Sequence, residues 1–229
     1  MSEESSEELR GDALDENRER AAEVITQIRG RLLLLAVSPP FRFVNTYRDE
    51  ADDYLRRMTE FVGFDEDEVA AANHAVGPFP GVYEEFLRQM GHARGALFAG
   101  SEIEPYRLLL YRHMAEEMMS NCGVERFLDA DSVVFMTHQG YSFCYFQSPS
   151  ASAFDAPVFQ YVECEPAPKQ IAPGFAEFLD AEVRLMEEND RMTRESGGYF
   201  ITVSGGFERR LYPALDEGRR PLDCEDELL

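Results

Sequence analysis

The sequence predicts an α+β fold, with N-terminal helices packed around a mostly antiparallel sheet. Three observations carry this. Up to Gly91, apolar residues repeat at helical spacing. "SVVFMTHQGYSFCYFQ" (Ser132–Gln147) and "APVFQYVEC" (Ala156–Cys164) are rich in β-branched and aromatic residues and are bounded by turn residues. "PGFAEFLDAEVRLMEE" (Pro173–Glu188) then returns to helical spacing. Helices first, strands next and a helix last is the order of segregated α+β proteins, with helices on one face of the sheet.

The elements follow in order. Residues 1–16 read as a disordered acidic lead and 17–40 as a helical arm. In the arm Val24, Ile25, Ile28, Leu32 and Leu35 share one face. Gly30 weakens this helix, and Ser38 before Pro39-Pro40 stops it, because a residue preceding proline avoids the helical region. The arm has either the body or a second subunit to pack on. A second helix places Tyr47, Ala51, Tyr54, Leu55, Met58 and Phe61 on one side. A third opens at Asp65, with Glu68 in the capping-box position. "FPGVYEEFLRQMG" (Phe79–Gly91) is a short helix. Pro80 suits its first turn, where a missing N–H costs nothing. Val82, Tyr83, Phe86, Leu87 and Met90 form its apolar face, and Gly91 suits its stop.

"GALFAGSEI" (Gly95–Ile103) reads as a short strand and "PYRLLLYRHMAEEMM" (Pro105–Met119) as a helix. The next two strands turn near Gln139-Gly140. "SPSASAFDAP" (Ser148–Pro157) is a polar loop before the strand at Ala156–Cys164. On the last helix Phe175, Phe178, Leu179, Val183 and Met186 lie on one side. "GYFITVSGG" (Gly198–Gly206) is one final strand.

Several of these stretches together resemble the SUKH superfamily (the SMI1/KNR4 family). Pro80, Tyr83, Phe86, Leu87 and Gly91 match its first helix. Gly140 and Tyr141 fit its strand pair, Asp155, Pro157 and Val158 its short third strand, and Phe175, Phe178 and Leu179 its last helix. The likeness covers roughly residues 65–185. It implies one domain of this type over residues 41–212, with residues 213–229 as an acidic C-terminal tail. It also implies a protein-binding module without catalytic residues. Bacterial members are commonly immunity proteins that neutralise a cognate toxin, often a nuclease, and fungal relatives are regulatory binding proteins.

The charge agrees with a basic protein partner. Of 229 residues, 44 are acidic and 22 basic, a net −22. The first twenty residues contribute −5 and residues 215–229 contribute −4, which leaves −13 for the body. Nucleic acid is disfavoured, since phosphate contacts need Lys and Arg. A basic toxin domain would be steered in. General solubility or salt adaptation explains the same acidity without a binding face. Glu102, Glu104, Asp129, Asp131, Asp155, Glu163 and Glu165 flank the expected strands and are candidates for a shared acidic rim. Tyr141, beside Gly140, is the candidate aromatic anchor.

The start of the chain is polar and acidic, unlike a secretory leader. "LLLLAV" (Leu32–Val37) is far shorter than the roughly 20 residues that span a bilayer. A cytoplasmic protein without membrane contact is therefore expected. Its cysteines, Cys122, Cys144, Cys164 and Cys224, form no CxxC and are expected to be reduced.

Metal and cofactor sites are not expected. The histidines (His74, His92, His113, His138) have no zinc-helix spacing, the cysteines no tight ligand spacing, and no phosphate loop is present. Lys169, the sole lysine, is placed in a loop. A His138–Cys144–Asp155 catalytic set is conceivable, but Cys144 sits in mid-strand among aromatics, where a buried inert thiol is the default. The aromatics of the strands read as core. Three readings stay open: an immunity protein, a regulatory scaffold with no toxin partner, and a small-molecule binder or enzyme using the sheet rim. The sequence sets no oligomeric state.

Overall fold

The computed structural model describes residues 3–38, 56–150, 152–196, 198–202 and 209–213. Most of the second expected helix, the acidic tail and Cys224 lie outside them, although residues 56–59 are helical. In chain order the elements are α1 (Glu3–Ala36), β1 (Phe61–Val62), α2 (Glu66–Val76), α3 (Gly81–Met90), β2 (Ala93–Arg94), β3 (Ser101–Glu102), a 3-10 turn (Pro105–Arg107), α4 (Leu108–Asn121), β4 (Val133–His138), β5 (Ser142–Phe146), β6 (Val158–Val162), β7 (Lys169–Ala172), α5 (Phe175–Ser196), β8 (Gly198–Thr202) and β9 (Arg209–Pro213).

The fold is α+β. Its main sheet has five strands in the order β3-β4-β5-β6-β7, every neighbouring pair antiparallel. β1 pairs with β2, and β8 with β9, in separate two-stranded ladders. The turn between β4 and β5 forms where the sequence places it. Gln139 and Gly140 take positive φ of 48° and 77°, and the Tyr141 N–H closes the turn on the His138 carbonyl at 3.1 Å. Two consecutive left-handed residues match the right-handed twist of a hairpin.

One face of the sheet holds the aromatic core. Tyr83 of α3 meets Phe79, Phe146 and Phe175 edge-on, with ring centroids 5.2–5.3 Å apart. Such edge-to-face pairs add to the gain from area burial. α1 packs on α3 and α5 of the same chain, burying Ala21, Ile25, Ile28, Leu32 and Leu35. The arm therefore completes the core. Arg31 fixes it from the side, donating to both Glu187 carboxylate oxygens at 2.7 Å and to Asp180 at 2.5 Å.

Several expectations are corrected. α1 is continuous from Glu3, so the acidic lead is part of this helix. The second face of the sheet is covered too: Phe127, after α4, packs on Phe143, Tyr145 and Tyr161. The Gly95–Ile103 stretch contributes only Ser101 and Glu102 to a strand. Lys169 is not in a loop but opens β7, an edge strand whose polar residues hide it from pattern reading. β9 was also missed.

The capping box at Asp65 and Glu68 is present in both directions. Pro80 precedes α3 by one residue as its N-cap. Gly91 keeps right-handed backbone (φ −63°), so it is no left-handed stop. Its role is space: a Cβ there would lie 2.6 Å from the Leu87 carbonyl oxygen and 2.7 Å from Phe64 Cδ1.

Candidate functional site

Strand register builds a polar patch at one end of the core face. Met136, Cys144 and Gln160 stand in one cross-strand row, and His138, Ser142 and Val162 in the next. Alternation puts both rows on the face that carries Phe146 and Val158 at the other end. Helix α5 runs along this face. Phe178, Glu182 and Met186 follow one another at four-residue spacing, so its contacts change from aromatic to polar. Here the sheet and helix separate, leaving a cavity of about 530 Å3 lined by Ser101, Met136, His138, Tyr141, Gln160 and Glu182, among others.

His138 is the centre of this patch. Its Nδ1 lies 2.8 Å from the Ser101 hydroxyl, and its ring stands edge-on to Tyr141, with centroids 5.2 Å apart. Burial lifts the Glu182 carboxyl above its ordinary value, while the nearby His138 pulls it down. Burial also pushes the Cys144 thiol up to about 12, with Glu182 adding to the effect. Cys144 is therefore a protonated core thiol, not a nucleophile. Asp155 lies at the opposite end of the sheet, so the conceivable His138–Cys144–Asp155 set does not assemble. Chemically, the cavity offers a hydroxyl, an imidazole, an amide and a carboxyl against walls of thioether and alkyl groups. That suits a polar ligand or an inserted partner side chain.

The eight candidate rim residues do not share one rim. Tyr141, Glu102, Glu163 and Glu165 belong to the cavity end. Glu102 pairs with Thr137 in the ladder, and the Glu163 N–H donates to the Tyr141 carbonyl at 2.7 Å. Tyr141 is 41% exposed. Glu165 is engaged by Lys169 at 2.5 Å and Glu104 by Arg107 at 2.8 Å. Asp129 and Asp131 precede β4 at the other end, where the Asp129 carboxylate accepts from Gln147 and Ser148. Asp155 is a cap, accepting from the N–H groups of Ala156, Phe175 and Ala176. The sequence offered acids near strands, and only the register reveals which end each occupies.

His138, Ser101 and Glu182 form a group that the sequence does not announce. They are separated by 37 and 44 residues in the chain, and no local motif joins them.

The cysteine expectation is also corrected. Cys122 and Cys164 form a disulfide, with Cα atoms 5.0 Å apart across 42 residues of sequence. Folding brings the end of α4 to the end of β6, a proximity invisible in linear spacing.

Among the described residues, no helix is long and apolar enough to cross a membrane. No protein-family model matches the chain, and no curated protein matches it.

Proposed function

We propose that this chain is a non-enzymatic protein-binding domain of the SUKH type, acting in the cytoplasm as an immunity protein against a basic toxin domain. The observation that carries the binding reading is the half-exposed Tyr141 ring at the mouth of the His138 cavity, with Glu163 hydrogen-bonded behind it. An aromatic ring held by a tight turn over a cavity is the kind of anchor that dominates interfaces. Glu102 and Glu163 add negative charge at the same end, and the net −22 of the chain draws in a basic partner. The helix–hairpin–strand–helix order that bears the resemblance supports the SUKH assignment.

The test is co-expression with the open reading frame beside its gene. Growth rescue by the parent chain, lost in a folded Tyr141→Ala variant, is the expected result. A neighbour that is not toxic but co-purifies through Tyr141 replaces the immunity role with that of a regulatory scaffold. A partner that binds parent and variant equally moves the interface elsewhere.

One observation favours a second reading. The Ser101–His138 hydrogen bond and Glu182 give the cavity a polar inner wall that a protein partner does not require. A small polar ligand held there would be detected by native mass spectrometry of the purified chain.

A further inference from the structure

The bond between Cys122 and Cys164 has a third group beside it. One carboxylate oxygen of Glu163 and both sulfurs lie within 4.8 Å of one another. Adjacent residues of a regular strand point to opposite faces. Glu163 and Cys164 lie in the turn after β6, where Cys164 takes a φ of +58°, so the two residues escape this alternation and deliver ligand atoms to one place.

The backbone on both sides is anchored independently of the sulfur bond. The Cys122 N–H donates to the Met118 carbonyl at 3.1 Å, and the Val124 N–H to the Met119 carbonyl at 3.0 Å. The Glu163 N–H is held by Tyr141 at 2.7 Å, and the Glu165 N–H donates to the Val162 carbonyl at 3.0 Å. Glu163 and Cys164 are exposed and Cys122 is half-buried, so the group is open to solvent.

We propose that reduction converts this disulfide into a binding site for a thiophilic divalent cation of the zinc type, held by Cys122 Sγ, Cys164 Sγ and the Glu163 carboxylate. Thiolates select such ions over magnesium or calcium. A tetrahedral ion about 2.3 Å from each sulfur holds the two sulfurs about 3.8 Å apart, so the sulfurs must move apart once the bond between them is broken. Three protein ligands leave the fourth position to water.

The chemistry balances. A dithiol reductant gives two electrons and two protons to the disulfide and becomes a disulfide itself, leaving two thiols on the protein. Cation binding then releases the two thiol protons to solvent. Reoxidation by a disulfide oxidant reforms the sulfur–sulfur bond and expels the cation. The oxidised and metal-bound states exclude each other, so the site is gated by redox state.

The test uses the full chain carrying Cys224→Ser. It is reduced with a phosphine, freed of metal without oxygen, and titrated with Co2+ and then Zn2+. Thiolate-to-cobalt charge-transfer bands that saturate at one ion per chain and disappear on adding Zn2+ are expected. The oxidised protein should give none. Cys122→Ser and Cys164→Ser should each weaken the charge-transfer bands and the affinity. Glu163→Gln should keep thiolate bands but bind at least about tenfold more weakly, a loss that even a ligand's supporting partner commonly causes. Circular dichroism checks the fold of each, and the oxidised–reduced comparison needs no substitution at the site. Absence of bands in the reduced protein, loss of its fold on reduction, or unchanged binding in Cys122→Ser overturns the proposal. Parent-like affinity in Glu163→Gln removes the carboxylate from it.

Discussion

The Asp155 carboxylate accepts the Phe175 N–H at 2.7 Å, capping helix α5 from a loop twenty residues earlier in the chain. Its second oxygen takes the Ala176 N–H at 3.0 Å. The same loop serves α3, since the carbonyls of Ala153 and Phe154 accept from Gly81 and Val82 at 2.9 Å. One short segment thus satisfies the open N–H groups of two helix starts. Pro80 and Gly174, which precede those helices, have no capping side chain of their own. Burial lifts the Asp155 carboxyl above its ordinary value, and its three backbone donors oppose that rise.

Asp155→Ala should therefore destabilise the chain without touching the proposed partner face at the other end of the sheet. Loss of a cap costs about 0.5–2 kcal/mol, and unpaired buried N–H groups move the cost toward the upper end. Asp155→Asn should recover part of the loss. Denaturant midpoints measure this. Parent-like stability combined with weakened partner binding would return Asp155 to the interface.

Phe86 tests the core. It is fully buried between Tyr83, at 6.0 Å, and Phe175, at 5.4 Å. Phe86→Ala removes a ring from a packed cluster and should cost about 3–5 kcal/mol. An unfolding midpoint equal to the parent's would contradict this packing.

How much of this was legible in the sequence depended on the range of each interaction. The Asp65–Glu68 capping box spans three residues, so its chemistry is local and was readable. The helix faces at Tyr83–Phe86–Leu87 and Phe175–Phe178–Leu179 announce themselves by period. β7 was unreadable because an edge strand exposes Lys169, Gln170 and Ile171 and shows no alternation. Asp155 was misread for a different reason. An exposed-looking acid in a polar loop and a helix cap look alike until the helix start is placed beside it. The Ser101–His138 contact, the Glu182 carboxyl and the Cys122–Cys164 bond all join distant segments, and no spacing rule encodes them.

Glu182 makes stability depend on pH in a definite direction. Burial raises its folded-state carboxyl above the ordinary 4.5, despite nearby His138. A raised acid binds its proton more tightly folded than unfolded. Its contribution is then complete below the ordinary value and is lost as pH rises through the raised one. Glu182→Gln removes the titration. The parent's stability relative to this variant should fall as pH increases from 4.5 upward. Denaturant unfolding of both proteins across a pH series reads the difference, and a pH-independent difference would mean that Glu182 is not buried in solution.

Thiol reactivity separates the cysteines. In a Cys224→Ser chain, the unreduced native protein should not react with an alkylating reagent. Cys122 and Cys164 are bonded to each other, and Cys144 is held protonated in the core. Mild reduction should expose Cys122 and Cys164 to labelling while Cys144 remains protected until denaturant is added. Peptide mapping by mass spectrometry assigns each label. Rapid labelling of Cys144 in the native chain would show that the face beneath α5 is open.

The final prediction sets the two ends of the sheet against each other. If the cavity end is the partner face, Glu102 and Glu163 steer association and Asp129 and Asp131 do not. Glu165 and Glu104 are left out because each is engaged by a basic side chain. Measurements use the oxidised protein, in which the Cys122–Cys164 bond is closed, so Glu163 acts only through its charge. Glu102→Gln with Glu163→Gln should slow association with a basic partner at low salt. The deficit should shrink as the Debye length falls to about 8–10 Å near physiological ionic strength. Dissociation should change less, because charges at an interface rim act mainly on the on-rate. Tyr141→Ala should show the reverse pattern, with faster dissociation and nearly unchanged association, since a buried anchor acts after encounter. Asp129→Asn with Asp131→Asn should follow the parent curve across the salt series. If both double variants slow association equally, the charge acts as a whole-molecule field, and the acidity belongs to solubility and not to this face.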